Sequence, residues 1–389
     1  MKRYAVALIL SCFLLPSLGR GAEARVSAAS LAVRAAIVAA VQKDRKLYGG
    51  RTPLPAVLIG VWDGKGASFV RAFGYSDLAN KRQLSPADHF RIGSNTKTFV
   101  VSVILQLIAE KKLNLEEPLN RFGLGVSIPN ADKITVRELC NMHSGIFEAF
   151  DTPQFAQLNM KVPKNFNPRM LVAWAVKQKP YFAPGKAYKY SNTNYLLLGL
   201  IIEKITKDRV GNQIRKRLLQ PFGLTHTTYP QTEAMPEPWA LGYGLDKQRN
   251  WEDVSNTIPV AFMGSAGEMI SDMADMKRWI KLYALGKTGG PATYRPLSEC
   301  KQFLGNTAFG LGINCSAGWY GYTGALPGYN TADYYFPATG TTIVAWITYQ
   351  AEAPPEGVAS VIFRDIARIM TPANVPLVYT REQLSGAGL

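Results

Sequence analysis

Strand-like sequence lies at the two ends of this chain and helix-like sequence lies between them. That separation limits the possible folds more than any other feature. Ala56–Trp62 and Ala67–Phe73 are apolar runs joined by Asp63-Gly64-Lys65-Gly66, a hairpin signal. Trp319–Thr323, Thr331–Phe336 and Thr341–Tyr349 repeat the pattern near the other end, the last two joined across Pro337-Ala338-Thr339-Gly340. Apolar residues at helical spacing mark Leu31–Leu47 and Ala359–Met370, and further helices are predicted near 133–142, 168–178, 193–206, 208–219 and 272–285. Strands at both ends around a helical middle predict an α/β fold, in which one antiparallel sheet is built from the N- and C-terminal segments. Helices flank this sheet, and a mostly helical subdomain is inserted beside it. The expected domain, 25–375, is single and discontinuous, with a sheet part at about 31–95 and 290–370, a helical part at about 96–289 and a polar tail at 376–389.

At 389 residues and 47% hydrophobic, the chain has ample material for a large core. Lys2 and Arg3, the apolar stretch Tyr4–Leu18 and Ala22-Glu23-Ala24 have the layout of a secretory signal peptide cut after Ala24, which predicts a periplasmic or secreted protein. Ile9-Leu10-Ser11-Cys12 offers a rival lipoprotein-type site, but Phe13, Leu14 and Leu15 continue the apolar stretch through it. No later run is long and apolar enough to span a bilayer. Loss of residues 1–24 would lower the net charge only from +16 to +14. An exported basic protein is expected to meet anionic envelope polymers such as peptidoglycan, or lipid headgroups, rather than nucleic acid, for which no motif is present. Cys300 and Cys315 can form a bridge that leaves Cys140 free and buried in a helix. Oligomeric state is not legible.

Ser94-Asn95-Thr96-Lys97 is a Ser-x-x-Lys between Gly93 and the apolar run Phe99, Val100, Val101, Val103, Ile104, Leu105. It reads as a turn opening into a buried helix, with Ser94 at the N-terminal end and Lys97 on the same face. Desolvation favours a neutral lysine amine, which can take the serine proton. The ordinary alternative is an N-cap serine with a surface lysine. A second stretch, Tyr188-Lys189-Tyr190-Ser191-Asn192, precedes the apolar helix from Leu196 and would offer a phenol and an amide to one site. His89, His143 and His226 lack zinc-site spacing, and no Gly-x-Ser-x-Gly elbow, Cys-x-x-Cys or complete phosphate loop occurs, so each histidine is read as structural and no metal or organic cofactor is expected.

Taken together and in this order, Ser94-x-x-Lys97 and Tyr190-Ser191-Asn192 resemble the penicillin-recognising serine hydrolases, in particular class C β-lactamases and secreted D-alanyl-D-alanine carboxypeptidases. The resemblance covers roughly residues 50–350. It includes Leu105–Leu113, Thr135–Gly145, where His143 replaces a usual threonine, and Gly264–Gly267; the last two are read as scaffold. The family's third box has two candidates. Lys287-Thr288-Gly289 matches its wording, but follows a helix end and precedes Gly290-Pro291. Tyr322-Thr323-Gly324 lies in the late strand region, where the family has its active-site edge strand, and is the one chosen.

The resemblance implies that Ser94 attacks an acyl carbon, that Lys97 and Tyr190 share base and acid work, and that Asn192 holds a substrate amide. It further implies an oxyanion site between the backbone N–H groups of Ser94 and Ala325, with Tyr322, Thr323 and Gly324 beside the substrate. Carboxypeptidases and β-lactamases of this type carry lysine or histidine where this chain has Tyr322, and some carboxylesterases of the family carry tryptophan. This implies better turnover of neutral esters or amides unless another cation, for example Lys189, supplies the charge. The expected substrate is thus a D-amino peptide, a β-lactam or a small ester or amide. The alternative is a fold-retaining protein that binds cell-wall peptide without turnover.

Overall fold

The computed structural model describes residues 27–28, 30–158, 161, 163, 166–289, 300–305, 307–350 and 357–377. The expected leader 1–24, residues 290–299 of the expected sheet part and nearly all of the tail lie outside the described residues.

Among the described residues the main sheet has nine antiparallel strands. From one edge they run Arg82–Gln83, Ser68–Asp77, Ala56–Trp62, Thr341–Ile347, Tyr329–Phe336, Trp319–Leu326, Asn314–Ser316, Thr307–Phe309 and Lys301–Leu304. The N-terminal hairpin joins the C-terminal strands in the middle of the sheet, where Val57 opposes Ile347 and Trp62 opposes Thr342. Alternate residues serve two cores, as the period-2 geometry of a strand requires. Val57, Ile59, Val61, Ile343, Ala345 and Ile347 face the helices Leu31–Leu47 and Val358–Met370, through Ile37, Val41, Ile362 and Ile366. Leu58, Val344 and Trp346 face the other way, toward the Thr96–Ala109, Asn192–Thr206 and Met273–Ala284 helices. Both strand faces are buried, which explains why Ala56–Trp62 is nearly continuous in apolar residues.

Three sequence expectations change. Three short strands between 301 and 316 extend the sheet beyond the predicted ones, and small two-stranded pairs form at Phe90–Arg91 with Ile270–Ser271 and at Tyr243–Leu245 with Trp251–Asp253. The expected helix 208–219 runs continuously over Val210–Phe222, but its middle, Arg215–Leu219, is wound as a π-helix between Val210–Ile214 and Gln220–Phe222. The Ser94 turn opens into a buried helix as expected, a 3₁₀ turn at Gly93–Asn95 leading into the helix from Thr96, and the N-cap alternative for Ser94 is excluded. The strand carrying Tyr322 is an edge only over its second half. Asn314–Ser316 pairs with it as far as Gly321, and the Gly93–Asn95 turn occupies the side left open from there.

Candidate active site

Two glycines set how closely the Ser94 turn approaches the sheet. A Cβ on Gly324 would stand 2.0 Å from the Ile92 carbonyl oxygen, and one on Gly93, whose φ is +51°, would stand 2.8 Å from the Ala325 amide nitrogen. No other residue allows that contact without displacing backbone. Asn95 fixes the turn from below, donating from Nδ2 to Thr331 Oγ1 at 2.9 Å. The Ile92 amide donates to the Met269 carbonyl at 3.0 Å.

The half-buried Ser94 hydroxyl lies 2.8 Å from the Tyr190 phenol and 2.9 Å from Lys97 Nζ. Lys97 is fully buried and has two further neighbours, Asn192 Oδ1 at 2.8 Å and the Ala266 carbonyl at 2.7 Å. Both accept and cannot donate. A neutral amine satisfies them with its two hydrogens and leaves its lone pair for the serine proton. Burial favours that form, lowering the Lys97 pKa to about 7 against the opposing pull of Glu148. Tyr190 moves the other way, because burial raises its phenol above the ordinary range and keeps it protonated.

Gly264–Gly267, read from sequence as scaffold, therefore touches the chemistry directly through the Ala266 carbonyl. Glu148 was not singled out from sequence. It is 7% exposed and its carboxylate accepts from the backbone amides of Asn192 and Phe150 and, at 3.4 Å, from Asn192 Nδ2. It thus caps the Asn192–Thr206 helix and turns the Asn192 amide so that Oδ1 points at Lys97. Burial raises its pKa. The available signal was a single acid inside the apolar run Ile146-Phe147-Glu148-Ala149-Phe150, a place where a buried charge must find partners.

Tyr322 is 1% exposed, with its hydroxyl buried beside the Tyr190 phenol. Thr323 is half-buried and Ala325 exposed on the same strand. Lys189 Nζ lies over the ring of Tyr181 at 5.6 Å, so it is directed to that ring. Lys287–Gly289 lies elsewhere: Thr288 bonds to Ser102 at 2.9 Å and Gln106 Nε2 donates to its carbonyl at 2.7 Å, about two turns or roughly 12 Å down the Thr96–Ala109 helix. Cys300 and Cys315 are joined in a disulfide. Cys140 is free and buried, with its thiol pushed up to about 12.

His143 packs against Tyr188, His89 Nδ1 meets the Pro238 carbonyl at 2.8 Å, and His226 Nδ1 meets Asp272 at 2.7 Å. His226, Asp272 and Asp275 are near enough to one another to share a cation, but Asp272 already accepts the Asp275 amide as the cap of the Met273–Ala284 helix and Asp275 accepts the His226 amide.

A serine held between a buried lysine and a tyrosine, at the junction of an antiparallel sheet and a helical region, is the arrangement of the penicillin-recognising serine hydrolases. The family model described as Beta-lactamase matches residues 35–363, and the chain belongs to that family. It is similar to Protein flp of Staphylococcus aureus strain N315, 30% identical over 71% of this chain and 54% of that protein. It is also similar to the putative penicillin-binding protein PbpX of Bacillus subtilis strain 168, 27% identical over 70% of this chain and 65% of that one. The chain thus spans about half the length of Protein flp. Among solved structures, the D-stereospecific amidohydrolase from Streptomyces sp. is 26% identical with a TM-score of 0.73, covering 87% of this chain and 98% of that one. The D-amino acid amidase from Ochrobactrum anthropi SV3 shares the fold at 22% identity and a TM-score of 0.77, covering 88% and 99%.

Proposed function

We propose that the protein is an exported serine acyl-hydrolase that forms an acyl-enzyme on Ser94 and prefers neutral amides and esters to substrates with a free carboxylate. The observation that carries the chemistry is the set of bonds at Lys97. Its two acceptor-only neighbours leave Ser94 as the one hydrogen-bonding partner able to give it a proton. In this reading the Lys97 lone pair takes the Ser94 proton as Oγ attacks the acyl carbon. The developing oxyanion faces the Ser94 and Ala325 amides. Tyr190 then gives its proton to the departing amine or alcohol, and the proton held by Lys97 returns to the phenolate. Water repeats the sequence on the ester and frees Ser94.

Tyr322 supports the preference. Its phenol stands beside Tyr190 and carries no charge at neutral pH, whereas a carboxylate-reading site needs a cation there. Similarity to a protein named a D-stereospecific amidohydrolase supports an amide as substrate. The Cys300–Cys315 disulfide supports an oxidising compartment. A turnover panel tests the reading: a D-amino acid p-nitroanilide, its analogue bearing a free terminal carboxylate, a chromogenic cephalosporin and a p-nitrophenyl ester. Highest kcat/KM is expected for the neutral anilide or ester. A clear preference for the carboxylate-bearing compounds would overturn it.

A further inference from the structure

Arg91 is a buried cation, only 2% exposed, with most of its hydrogens unclaimed. Nη2 donates to the Glu233 carbonyl at 3.0 Å and to Asn256 Oδ1 at 3.1 Å. Nε and Nη1 have no acceptor among the described residues. Two of a guanidinium's five hydrogens are thus paired and three are not, a costly arrangement for a charged group away from water. The neighbouring acids do not supply the missing acceptors. Glu233 keeps both carboxylate oxygens on the Val260 amide, at 3.0 and 3.1 Å, with Oε2 3.7 Å from Arg91 Nη2. Glu268 and the Tyr329 phenol lie close enough to act on Arg91 but form no hydrogen bond with it.

Arg91 also lines a small cavity, together with Ser255, Ile258, Val260, Met263 and Leu326. None of Ser94, Lys97, Tyr190 or Asn192 reaches it. The centre of a water-sized sphere has about 10 Å³ in which to move there, a space for one small particle. A water accepting from Arg91 would need acceptors for its own two hydrogens. The side chains around it are apolar except Ser255, whose hydroxyl already accepts the Gly242 amide at 2.8 Å and gives its hydrogen to Asp253 Oδ1 at 2.5 Å. A halide ion only accepts, and it tolerates apolar walls. Arg91 leads into the Ser94 turn and Leu326 follows Ala325, so the cavity adjoins both segments that carry the oxyanion amides.

We propose that Arg91 and this cavity form a binding site for one small monovalent anion, a halide, next to the two segments of the oxyanion site.

The test is the melting temperature of the full chain, titrated with sodium chloride or sodium bromide against sodium gluconate at constant ionic strength, since gluconate is too large for the cavity. No substrate enters, so the result is independent of acyl transfer at Ser94. Wild type, Arg91→Met and Val260→Leu are compared, and anomalous scattering from wild-type crystals grown in bromide locates the ion. In wild type, chloride and bromide should raise the melting temperature saturably, by roughly 2–4 °C over gluconate. A bromide should lie within hydrogen-bonding distance of Arg91 Nε or Nη1. Arg91→Met should lose the rise. Val260→Leu fills the cavity while keeping Arg91, should lose the rise as well, and decides the matter if Arg91→Met does not fold. No rise over gluconate in wild type, a rise that survives in either folded variant, as halide binding to the basic surface alone would give, or a water in place of bromide at Arg91 would each overturn the proposal.

Discussion

Lys97 Nζ donates to the Ala266 carbonyl oxygen at 2.7 Å, and this bond, with its counterpart to Asn192, sets the direction in which the amine can act. The pH dependence follows. Lys97 must be deprotonated to receive the serine proton, so kcat/KM is expected to rise with pH around a midpoint near 7. It should not fall again until well into the alkaline range, because burial keeps Tyr190 protonated there. Lys97→Arg should lose activity by roughly a thousandfold or more at every pH, since a guanidinium does not deprotonate in this range. A wild-type profile centred near the ordinary lysine value would mean that the amine is not neutral in the free enzyme.

The same depressed pKa links folding to pH. The unfolded chain keeps the Lys97 proton up to roughly pH 10.4, while the folded chain releases it near 7. Over that window the unfolded state binds more protons, so this residue's contribution makes stability rise with pH. Lys97→Met should flatten the slope of denaturation free energy against pH between 7 and 10. An unchanged slope would contradict the assignment.

Glu148 positions Asn192 and also acts on Lys97 across the site. Glu148→Gln is expected to lower kcat by about 10- to 100-fold. It should also move the midpoint of the pH profile to more acid values, because the carboxylate raises the Lys97 pKa. A purely structural defect would lower the rate without moving the midpoint, and that result would remove Glu148 from the electrostatics of the site.

Tyr322 buries its hydroxyl beside the Tyr190 phenol, the group assigned to pass a proton to the leaving group. Tyr322→Phe should change stability by no more than about 1 kcal/mol, while reducing kcat/KM for the preferred amide roughly tenfold. Tyr322→His should shift preference toward substrates with a free carboxylate. Equal turnover by wild type and Tyr322→Phe would show that the hydroxyl does not meet the substrate.

Gly324→Ala places a methyl group into the Ile92 carbonyl and should cost about 1–3 kcal/mol together with most of the activity. Lys287→Ala is the matched control. It alters the exposed lysine of the literal Lys-Thr-Gly sequence and should be silent in both stability and rate. Loss of activity in that variant would mean that the wrong segment was assigned to the site.

The sheet and the Ser94, Lys97, Tyr190 and Asn192 cluster were legible for different reasons. Ala56–Trp62 and Thr341–Ile347 are buried on both faces, so their apolar runs are long enough to read, and the cluster was found by resemblance of short motifs in a fixed order. The strands Lys301–Leu304, Thr307–Phe309 and Asn314–Ser316 are only three or four residues each and show no usable alternation, so pattern alone could not separate them from loop. Ala266 was invisible for another reason: its contribution is a backbone carbonyl, which no side-chain pattern encodes. Glu148 left a signal, an isolated acid among apolar residues, but its partner lies 44 positions away at Asn192 and only the fold brings them together.

The most direct test of the central claim is intact-mass and peptide-level analysis after brief reaction with a fluorophosphonate and, separately, with a slowly released neutral p-nitrophenyl ester. One adduct per chain is expected, located on Ser94, with none on Ser94→Ala protein whose melting curve matches wild type. Adducts elsewhere, or ester hydrolysis that continues undiminished in Ser94→Ala, would contradict the claim that Ser94 carries the acyl group.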